Sequence, residues 1–474
     1  MNQIRGQWHE SHGWRTIIGD GFTFDSVRIL AQAIADYIKE RTKIKRDVVI
    51  GYDSRFLSDK FAQIVASVLA GNGLKVWMTN RPTPTPVIAY ELLKRESGGG
   101  VNITASHNPP EYSGMKCFST LKGGWKYALI NKEIKERFLS LPLKKVKEIS
   151  YEQGIEAKSI CLIDPMEDYL KYLKSLVDID LFKKANLKVV INPMHGTACG
   201  YLERIFKEIG CECIALNTKM DPLFGGSPPD PSEVTLKDTA ELVVKNSAHL
   251  GLATDGDADR FGVVDEKGIY LDPNKVFALI LFYLLKTKGW KGKVAKTITV
   301  THLVDAICKK YHCSLIETSI GFKYIGEAIQ EGAIIGGEES GGMAVKGHIP
   351  EKDGILGCLL MAEMVAVEKK PLSKILQELY AEFGTFFYKK MSLYVTDKER
   401  ELFLMKLTNN PPTEFAGIAV KRVVSENKFI LEDGSWVTLR ASQTEPVIRC
   451  YAETNNNHKL EKMLESGSKF IKGT

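Results

Sequence analysis

The sequence predicts an α/β protein, because a strand–helix–strand pattern occurs three times along the chain. A β-branched run at 48–53 precedes helical spacing over 61–69 and a second apolar run. The pattern returns at 188–216, and again with a strand at 297–300 and a helix at 303–311. Consecutive parallel strands need a crossover, usually a helix, so each copy predicts a parallel pair. Copies this far apart indicate three related domains rather than a solenoid, whose repeats span roughly 20–50 residues.

The end of the chain predicts a smaller α+β domain of a different kind. Asp433-Gly434 is a preferred hairpin turn, and a helix is predicted from His458 onward. Four short strands are indicated around that turn, at 417–421, 428–431, 435–439 and 446–452. A chain of 474 residues is too long for one core, since single cores stop growing at about 250–300 residues. We therefore predict four domains, at 1–155, 156–268, 269–388 and 389–474.

The composition is that of an ordinary globular protein and argues against several function classes. The net charge of +6 is small for this length, and no basic run with interleaved aromatic residues predicts nucleic-acid binding. The start of the sequence lacks an apolar signal-peptide region, and the longest apolar run, 276–285, is too short to span a bilayer. Nine cysteines without a C-x-x-C pair suit a reducing cytoplasm.

A serine–histidine pair lies in the segment Thr104-Ala105-Ser106-His107-Asn108-Pro109, the serine loop. Asn-Pro is a turn signal, so this loop can hold the Ser106 hydroxyl rigidly beside a cleft. An ordinary turn is the competing interpretation. His107 is adjacent in the chain and is a poor general base for its neighbour, so the pair does not predict a Ser-His-Asp hydrolase.

Three carboxylates at alternate positions predict a site for a hard cation. They lie in Asp255-Gly256-Asp257-Ala258-Asp259-Arg260, the aspartate loop. A solvated acidic turn and a calcium EF-hand are the alternatives. Arg260 takes the place of the EF-hand glycine, and the flanks at 250–253 and 261–264 are strand-like rather than helical. An oxygen-ligand Mg²⁺ site with open positions for a phosphate is therefore favoured.

Two further loops offer groups that bind ligands. In the glycine loop, 336–342, two glycine pairs bracket Glu338-Glu339-Ser340, which leaves the backbone free to present polar groups to a polyhydroxylated ligand. A plain flexible loop explains this pattern equally well.

The arginine loop, Arg440-Ala441-Ser442-Gln443-Thr444-Glu445-Pro446, is followed by Arg449. Its guanidinium and hydroxyl donors suit a phosphate dianion, and an exposed loop is the alternative. Arg15 and Arg55 also lie in or beside glycine- and aspartate-containing turns.

Together, and in this order along the chain, the four loops resemble the motifs of the α-D-phosphohexomutase family, which includes phosphoglucomutase and phosphomannomutase. The resemblance implies a heart-shaped architecture of three related α/β domains with mixed sheets and a smaller C-terminal α+β domain. It also implies a cytoplasmic isomerase, an intramolecular phosphotransferase that interconverts hexose 1- and 6-phosphates through a hexose 1,6-bisphosphate. The expected state is a monomer or homodimer with no nucleic-acid or membrane partner. Glu338-Glu339-Ser340 looks more like the phosphoglucomutases, which favours glucose over mannose.

The resemblance further implies roles for individual residues. Ser106 would carry the phosphoryl group and, with Asp255, Asp257 and Asp259, hold Mg²⁺. Other catalytic groups would be His107, Lys116, Arg15 and Arg260. The sugar would contact Glu338, Ser340, Lys323 and His348, and the non-reacting phosphate would contact Arg440, Ser442, Thr444 and Arg449. For His107, Arg15, Arg260, Lys323 and His348, a polar side chain that merely lines a loop is a competing interpretation. Gln443 departs from the glycine or asparagine of many members.

Three other functions compete with that of a glucose or mannose mutase. Phosphoglucosamine mutase belongs to the same family. A metal-dependent phosphatase would have no need for the arginine loop, which would retain a second phosphate. A non-catalytic sugar-phosphate binding protein would not need Ser106, the three aspartates and Lys116 together.

Overall fold

The computed structural model of the chain describes residues 7–9, 13–41, 47–118, 127–442 and 447–473. Four β-sheets follow one another along this part of the chain, and helices pack against them. The first three sheets contain parallel pairs and the fourth is antiparallel, so the predicted three α/β domains and smaller C-terminal α+β domain are confirmed. No helix among the described residues is long and apolar enough to cross a membrane.

The first sheet surrounds the strand that leads into the serine loop. Its strands are β1 (Gln7–His9), β2 (Gly13–Ile17), β3 (Asp47–Tyr52), β4 (Lys75–Thr79), β5 (Gly99–Ile103), β6 (Tyr112–Phe118) and β7 (Ile160–Ile163). Its helices are α1 (Phe24–Arg41), α2 (Ser58–Gly71), α3 (Thr85–Arg95), α4 (Tyr127–Ser140) and α5 (Tyr151–Glu156). The strand order is β1-β2-β6-β5-β3-β4-β7.

Strand β3 shows why the first copy of the repeat folds as predicted. Val48, Val49 and Ile50 are fully buried, as is typical of a parallel strand covered on both faces. β3 pairs in parallel with β4 and β5. β7 pairs in parallel with β4, so the first sheet continues past the boundary predicted at 155.

The second sheet carries the aspartate loop. Its strands are β8 (Lys188–Asn192), β9 (Glu212–Ala215), β10 (Leu250–Thr254), β11 (Phe261–Val264) and β12 (Tyr270–Leu271), in the order β12-β11-β10-β8-β9. Its helices are α6 (Met166–Lys174), α7 (Ile179–Ala185), α8 (Leu202–Glu208) and α9 (Lys237–Lys245). β10 and β11 pair antiparallel, with Thr254 opposite Phe261. The aspartate loop is therefore a tight connection between two strands, as its flanks predicted.

The third sheet carries the glycine loop. Its strands are β13 (Lys293–Thr297), β14 (Leu315–Thr318), β15 (Ala333–Gly337) and β16 (Met343–Val345), in the order β14-β13-β15-β16. Its helices are α10 (Pro273–Lys286), α11 (Leu303–Lys310), α12 (Phe322–Gln330), α13 (Gly354–Glu368) and α14 (Leu372–Phe383). β15 and β16 are antiparallel, so the glycine loop joins them as a hairpin.

The strand predicted at 297–300 was wrong, because the observed strand β13 lies at Lys293–Thr297. Its two lysines conceal an apolar strand in the sequence. Lys296 is nevertheless fully buried, and its ammonium donates to the carbonyl oxygens of Val300 and Thr301, each at 3.3 Å. The residues that follow β13 therefore form a turn, and their carbonyl groups accept hydrogen bonds from a lysine near the end of that strand.

The fourth sheet carries the arginine loop. Its strands are β17 (Phe387–Tyr394), β18 (Glu414–Phe415), β19 (Ile418–Val424), β20 (Lys428–Leu431), β21 (Trp436–Ala441) and β22 (Val447–Thr454), in the order β17-β22-β21-β20-β19-β18. Its helices are α15 (Asp397–Asn409) and α16 (Asn457–Lys472). The four predicted strands are confirmed as β19 to β22. Thr444 and the other residues at 443–446 lie outside the described part of the chain.

Candidate active site

The serine loop brings Ser106 against the aspartate loop of the second domain. Ser106 is fully buried and has a left-handed φ of 54°. Its hydroxyl donates to Oδ2 of Asp255 at 2.7 Å, and its N–H donates to Oγ1 of Thr104 at 2.9 Å. A left-handed backbone conformation is uncommon for residues other than glycine. It persists where surrounding contacts fix it, often at functional sites.

Glycine at position 256 permits this close approach of two loops. A Cβ at Gly256 would lie 2.8 Å from the carbonyl oxygen of Ser106. On the other side, a Cβ at Gly196 would lie 2.6 Å from the carbonyl oxygen of Gly256. The aspartate loop is thus held between two backbones, and side chains there would separate Asp255 from the serine.

The three aspartates form a compact, buried carboxylate cluster. Asp255, Asp257 and Asp259 are each no more than 1% exposed, and one oxygen from each lies within 4.8 Å of the others. Thr85 adds a hydroxyl that donates to Oδ2 of Asp257 at 2.5 Å. Three carboxylates this close in the interior require positive charge to balance them.

Two buried lysines supply part of that charge. Nζ of Lys116 lies 2.5 Å from Oδ2 of Asp257 and 2.6 Å from Oδ2 of Asp259. Nζ of Lys352 lies 2.8 Å from the same oxygen of Asp259. Burial lowers the pKa of Lys116, but attraction to the two aspartates outweighs it and raises the pKa above its ordinary value. The two carboxylates thus stabilise the charged form of Lys116 despite its burial.

The pKa values of Asp255 and Asp259 are shifted in opposite directions, because the two lysines contact Asp257 and Asp259 only. Burial, together with repulsion from Asp259 and Asp257, raises the pKa of Asp255 well above its usual range. Burial also acts on Asp259, but attraction to Lys116 and Lys352 outweighs it and lowers its pKa well below that range. Burial and Asp259 also act to raise the pKa of Asp257, but Lys116 outweighs them and lowers it. An additional cation would therefore favour the ionised form of Asp255 most.

The cluster fits a divalent metal ion with oxygen ligands. Oδ1 of Asp257 and Oδ1 of Asp259 are buried and accept no hydrogen bond from the residues that the structure describes. Hard cations such as Mg²⁺ prefer carboxylate oxygens, and a fourth ligand could come from the oxygen on Ser106, which already contacts Asp255. The structure therefore brings the four predicted cation ligands, Ser106, Asp255, Asp257 and Asp259, close to one another.

Arg15, Arg260 and His107 line the same region. Nη1 of Arg15 donates to the carbonyl oxygen of Ala105 at 3.0 Å and to Oδ1 of Asn108 at 2.7 Å, and burial lowers its pKa to about 10. Nε of Arg260 lies 3.8 Å from Oδ1 of Asp259.

His107 is uncharged in this environment. Burial, followed by repulsion from Arg260 and Arg15, lowers the pKa of His107 well below its usual range. A neutral imidazole with so low a pKa is a weak proton acceptor. Its adjacency to Ser106 therefore gives it no role as the base.

The glycine loop presents a buried carboxyl group. The N–H of Glu338 donates to the carbonyl oxygen of Gly342 at 2.9 Å, which closes the loop between β15 and β16. Burial raises the pKa of Glu338 to about 7, although nearby Lys352 lowers it. Ser340 is partly exposed in the same loop, whereas Lys323 is buried at the start of α12.

His348 is held in a buried network instead of projecting from a loop. Its Nε2 lies 2.7 Å from Oδ2 of Asp353, its Nδ1 lies 3.2 Å from the hydroxyl of Tyr172, and its ring stacks on Tyr172. Asp353 also caps α13 by accepting from the N–H groups of Ile355 and Leu356. Both ring nitrogens therefore have protein partners, which supports the interpretation of His348 as a satisfied polar side chain.

The arginine loop connects two neighbouring strands. Arg440 on β21 lies opposite Arg449 on β22, so both side chains project from one face of the sheet. The N–H of Ser442 donates to the carbonyl oxygen of Val447 at 2.9 Å and closes the base of the loop. Burial and Glu339 raise the pKa of Tyr451, whereas Arg449 and Arg440 lower it, so the glycine and arginine loops face a common region.

Two residues of the site were missed in the sequence. Thr85 at the start of α3 contacts Asp257, and Lys352 contacts Asp259. Lys352 belongs to a Lys-Asp-Gly run before a helix, but nothing in that run indicates a partner almost a hundred residues earlier. Only the folded chain brings these groups together.

The chain matches all four domain models of one family, in order. The α/β/α domains I, II and III of phosphoglucomutase/phosphomannomutase match residues 7–141, 167–268 and 272–383, and the C-terminal domain matches 404–466. The serine, aspartate and glycine loops lie in the first, second and third of these matches.

Several known proteins are similar over nearly the whole chain. The phosphoglucomutase/phosphomannomutase of Thermococcus kodakarensis is 29% identical over 98% of both chains. The phosphoglucosamine mutase of Methanocaldococcus jannaschii is 31% identical over 90% of this chain and 92% of its own. The crystal structure of a putative phosphomannomutase from Thermus thermophilus is 30% identical and superposes with a TM-score of 0.84 over 98% of both chains.

Proposed function

The chain belongs to the phosphoglucomutase/phosphomannomutase family, the α-D-phosphohexomutases, and we propose that it interconverts hexose 1-phosphates and hexose 6-phosphates through a phosphoserine at Ser106. It is an isomerase, an intramolecular phosphotransferase. The observation that carries the mechanism is the 2.7 Å contact between the Ser106 hydroxyl and Asp255, at the edge of a buried three-aspartate cluster.

Ser106 is the group that donates and recovers the phosphoryl group. The bond from phosphorus to the serine oxygen breaks as a bond to a sugar hydroxyl oxygen forms, and that hydroxyl loses its proton. The product of this half-reaction is a hexose 1,6-bisphosphate. After it turns end over end, its other phosphoryl group returns to Ser106, so the enzyme ends each cycle phosphorylated.

The surrounding charges stabilise the transferred group in a loose transition state. Mg²⁺ held by Asp255, Asp257, Asp259 and an oxygen on Ser106 would neutralise charge on the phosphoryl oxygens. Lys116 is suited to charge stabilisation, not to proton removal, because its raised pKa keeps it protonated. Arg15 adds a second buried cation beside the serine loop.

Glu338 is suited to hold a sugar hydroxyl and take its proton. Its pKa of about 7 is matched to proton transfer near neutral pH. Ser340 and Lys323 would also contact the sugar and help Glu338 to hold it. Arg440, Ser442, Thr444 and Arg449 would grip the phosphate that is not reacting, in either orientation of the intermediate.

Glucose phosphates are the favoured substrates, on the Glu338-Glu339-Ser340 sequence, with mannose phosphates as further substrates. Glucosamine phosphates are the second candidate, because relatives covering about nine-tenths of the chain carry the name phosphoglucosamine mutase. One hydroxyl or amine discriminates strongly only when a buried group binds it.

A side-by-side assay tests this function. The purified enzyme is given Mg²⁺, a hexose 1,6-bisphosphate and the 1-phosphates of glucose, mannose, glucosamine or N-acetylglucosamine, and formation of each 6-phosphate is measured. We expect turnover of glucose 1-phosphate to be the fastest. Release of inorganic phosphate in place of a 6-phosphate would indicate a phosphatase, and binding without turnover would indicate a sugar-phosphate binding protein.

A further inference from the structure

One buried arginine, Arg55, donates hydrogen bonds to the backbone of the serine loop. We propose that Arg55 is a positioning residue that fixes the orientation of Ser106 through the backbone of the loop. The geometric part of this proposal stands on the contacts of Arg55, and its kinetic part rests on the proposed mutase function.

Four backbone carbonyl groups of the loop and its exit converge on the Arg55 guanidinium. Nη2 donates to the carbonyl oxygens of Ser106 at 2.7 Å and Asn108 at 2.6 Å. Nη1 donates to those of Pro109 at 2.6 Å and Tyr112 at 3.0 Å. The Arg55 side chain is fully buried, so water does not compete for these bonds.

Asp53 orients the guanidinium that makes these bonds. Its Oδ2 accepts from Nε of Arg55 at 3.0 Å, and its Oδ1 accepts from the Arg55 N–H at 3.0 Å and from the Ser58 hydroxyl at 2.7 Å. All donors on the Arg55 side chain therefore point in fixed directions. A guanidinium presents five N–H donors in one rigid plane, which the single ammonium of lysine cannot reproduce.

The hydrogen bond from Arg55 to Ser106 is the most important of the four, because the orientation of Ser106 decides whether its hydroxyl can take part in phosphoryl transfer. The carbonyl of Ser106 is fixed by Arg55 and approached closely by Gly256, and the residue has its left-handed φ of 54°. Fixing the peptide plane fixes the direction of the Cα–Cβ bond of Ser106, and from that direction its hydroxyl reaches Oδ2 of Asp255 at 2.7 Å. Every contact of Arg55 described above is to a carbonyl group or to Asp53, so it acts on the reaction through the serine loop.

The same arginine lies at the junction of the first two domains. The ring of Phe224 from the second domain lies 4.8 Å from the guanidinium carbon of Arg55. The adjacent Ser54 hydroxyl donates to the carbonyl oxygen of His195 at 3.3 Å. The serine loop is thus secured to the domain that carries the three aspartates as well as to its own sheet.

Hydrogen exchange tests the geometric part without reference to the reaction. The N–H groups of Asn108 and Tyr112 donate within the loop, to Ala105 and Pro109, and report its order. We expect R55K to speed exchange in peptides covering 104–112 by about tenfold or more. The control is R81K, since Arg81 pairs with Asp164 at the surface of the same domain and is 39% exposed. Wild-type exchange in R55K would overturn the proposal.

Kinetics test whether this order serves Ser106. Small misplacement of a reacting group costs about 100-fold in rate, so R55K should lower kcat by about that factor and leave KM within about threefold. Equal kcat in R55K and R81K would overturn the kinetic part. If the wild-type enzyme fails to isomerise any hexose phosphate, the proposed function fails, while hydrogen exchange still decides the geometry.

A milder variant covers the case in which R55K does not fold. D53N keeps the size of the Asp53 side chain but removes the carboxylate charge, so only one oxygen is left to accept from Arg55 and the guanidinium is held less firmly. We expect about threefold faster exchange in the same peptides, with exchange in the second domain unchanged. Unaltered exchange at 104–112 in a folded D53N would then overturn the proposal.

Discussion

The hydroxyl of Ser106 lies 2.7 Å from Oδ2 of Asp255, although the two residues are 149 positions apart in the chain. The contact joins the first domain to the second and places the Ser106 hydroxyl at the edge of a buried carboxylate cluster. The chemistry of the site therefore depends on the relative positions of the domains as much as on the residues themselves.

Removing the Ser106 hydroxyl should abolish isomerisation and leave the fold intact. S106A deletes the only atom proposed to carry the phosphoryl group, so we expect a loss of at least about 10⁴-fold in kcat. The control is S113A, because the buried Ser113 hydroxyl has no hydrogen-bond partner in the described part of the chain. Both variants are measured for 6-phosphate formation and for melting temperature. Substantial activity in S106A would refute the nucleophile assignment.

Neutralising one aspartate of the cluster should weaken the dependence of activity on Mg²⁺. D257N replaces a carboxylate whose Oδ1 is available to a metal, so the Mg²⁺ concentration for half-maximal activity should rise at least about tenfold. Mg²⁺ should also raise the melting temperature of D257N less than that of the wild type. D265N serves as control, since Asp265 is buried in the same domain but accepts from the N–H groups of Lys267 and Ile269. A wild-type Mg²⁺ titration in D257N would contradict the metal site.

The sequence predicted secondary structure correctly where the pattern that specifies it is local. Strand β11 at Phe261–Val264 and strand β20 at Lys428–Leu431 were predicted to the residue, because each is a short apolar run bounded by turn residues. Three aspartates at alternate positions favoured a cation site over a solvated acidic turn, and in the structure they form a buried cluster. Parallel pairing of β3 with β4 also follows from local spacing, since a crossover helix joins them.

The sequence was insufficient where a tertiary partner changes the character of a residue. Lys296 is a lysine and yet fully buried, because its ammonium pairs with Asp305 and donates to the carbonyl oxygens of Val300 and Thr301. A lysine at this position hid strand β13 in the sequence. In the sequence, Arg55 is one of several arginines near turns, whereas in the fold four carbonyl groups converge on it. No spacing along the chain encodes such contacts. The roles predicted for the sugar- and phosphate-binding residues stay predictions.

Lys116 should stabilise the fold through the charge it supplies to two buried aspartates. K116M leaves Asp257 and Asp259 without their nearest cation, and breaking such a buried pair destabilises by about 3–5 kcal/mol. Mg²⁺ should recover more stability in K116M than it adds to the wild type, because the ion replaces the lost charge. Urea unfolding with and without Mg²⁺ measures both effects. K389M is the control, since Lys389 pairs with Glu461 at the surface, and an equal Mg²⁺ effect in both variants would contradict this role.

Arg449 should contribute to substrate binding more than to the chemical step. A phosphate gripped equally before and in the transition state is bound uniformly, so R449Q should raise KM and change kcat little. Loss of one charged hydrogen bond is worth about 1.5–3 kcal/mol, which corresponds to a roughly 10- to 150-fold higher KM. R422Q is the control, because Arg422 lies on β19, away from the arginine loop. An unchanged KM in R449Q would exclude Arg449 from the phosphate site.

Glu338 should give the enzyme a pH dependence in both stability and activity. Burial raises its pKa from 4.5 to about 7, so the folded protein favours the protonated form. The stability that this form contributes is fully present below pH 4.5 and is lost as pH rises through 7, a total of about 3 kcal/mol. E338Q, which cannot ionise, should therefore match the wild type near pH 4 and melt at a higher temperature at pH 8.

The activity of the enzyme should rise with pH, whereas the stability that Glu338 contributes falls. Ionised Glu338 is the form that can accept a hydroxyl proton, so kcat/KM of the wild type should rise with pH through about 7. The substrate phosphate also titrates near pH 6, and the same measurement on E338Q removes that contribution, since both enzymes see the same substrate. The ratio of wild-type to variant kcat/KM should therefore increase by about tenfold for each pH unit below 7 and level off above it. A ratio that does not change with pH would show that Glu338 does not transfer the proton.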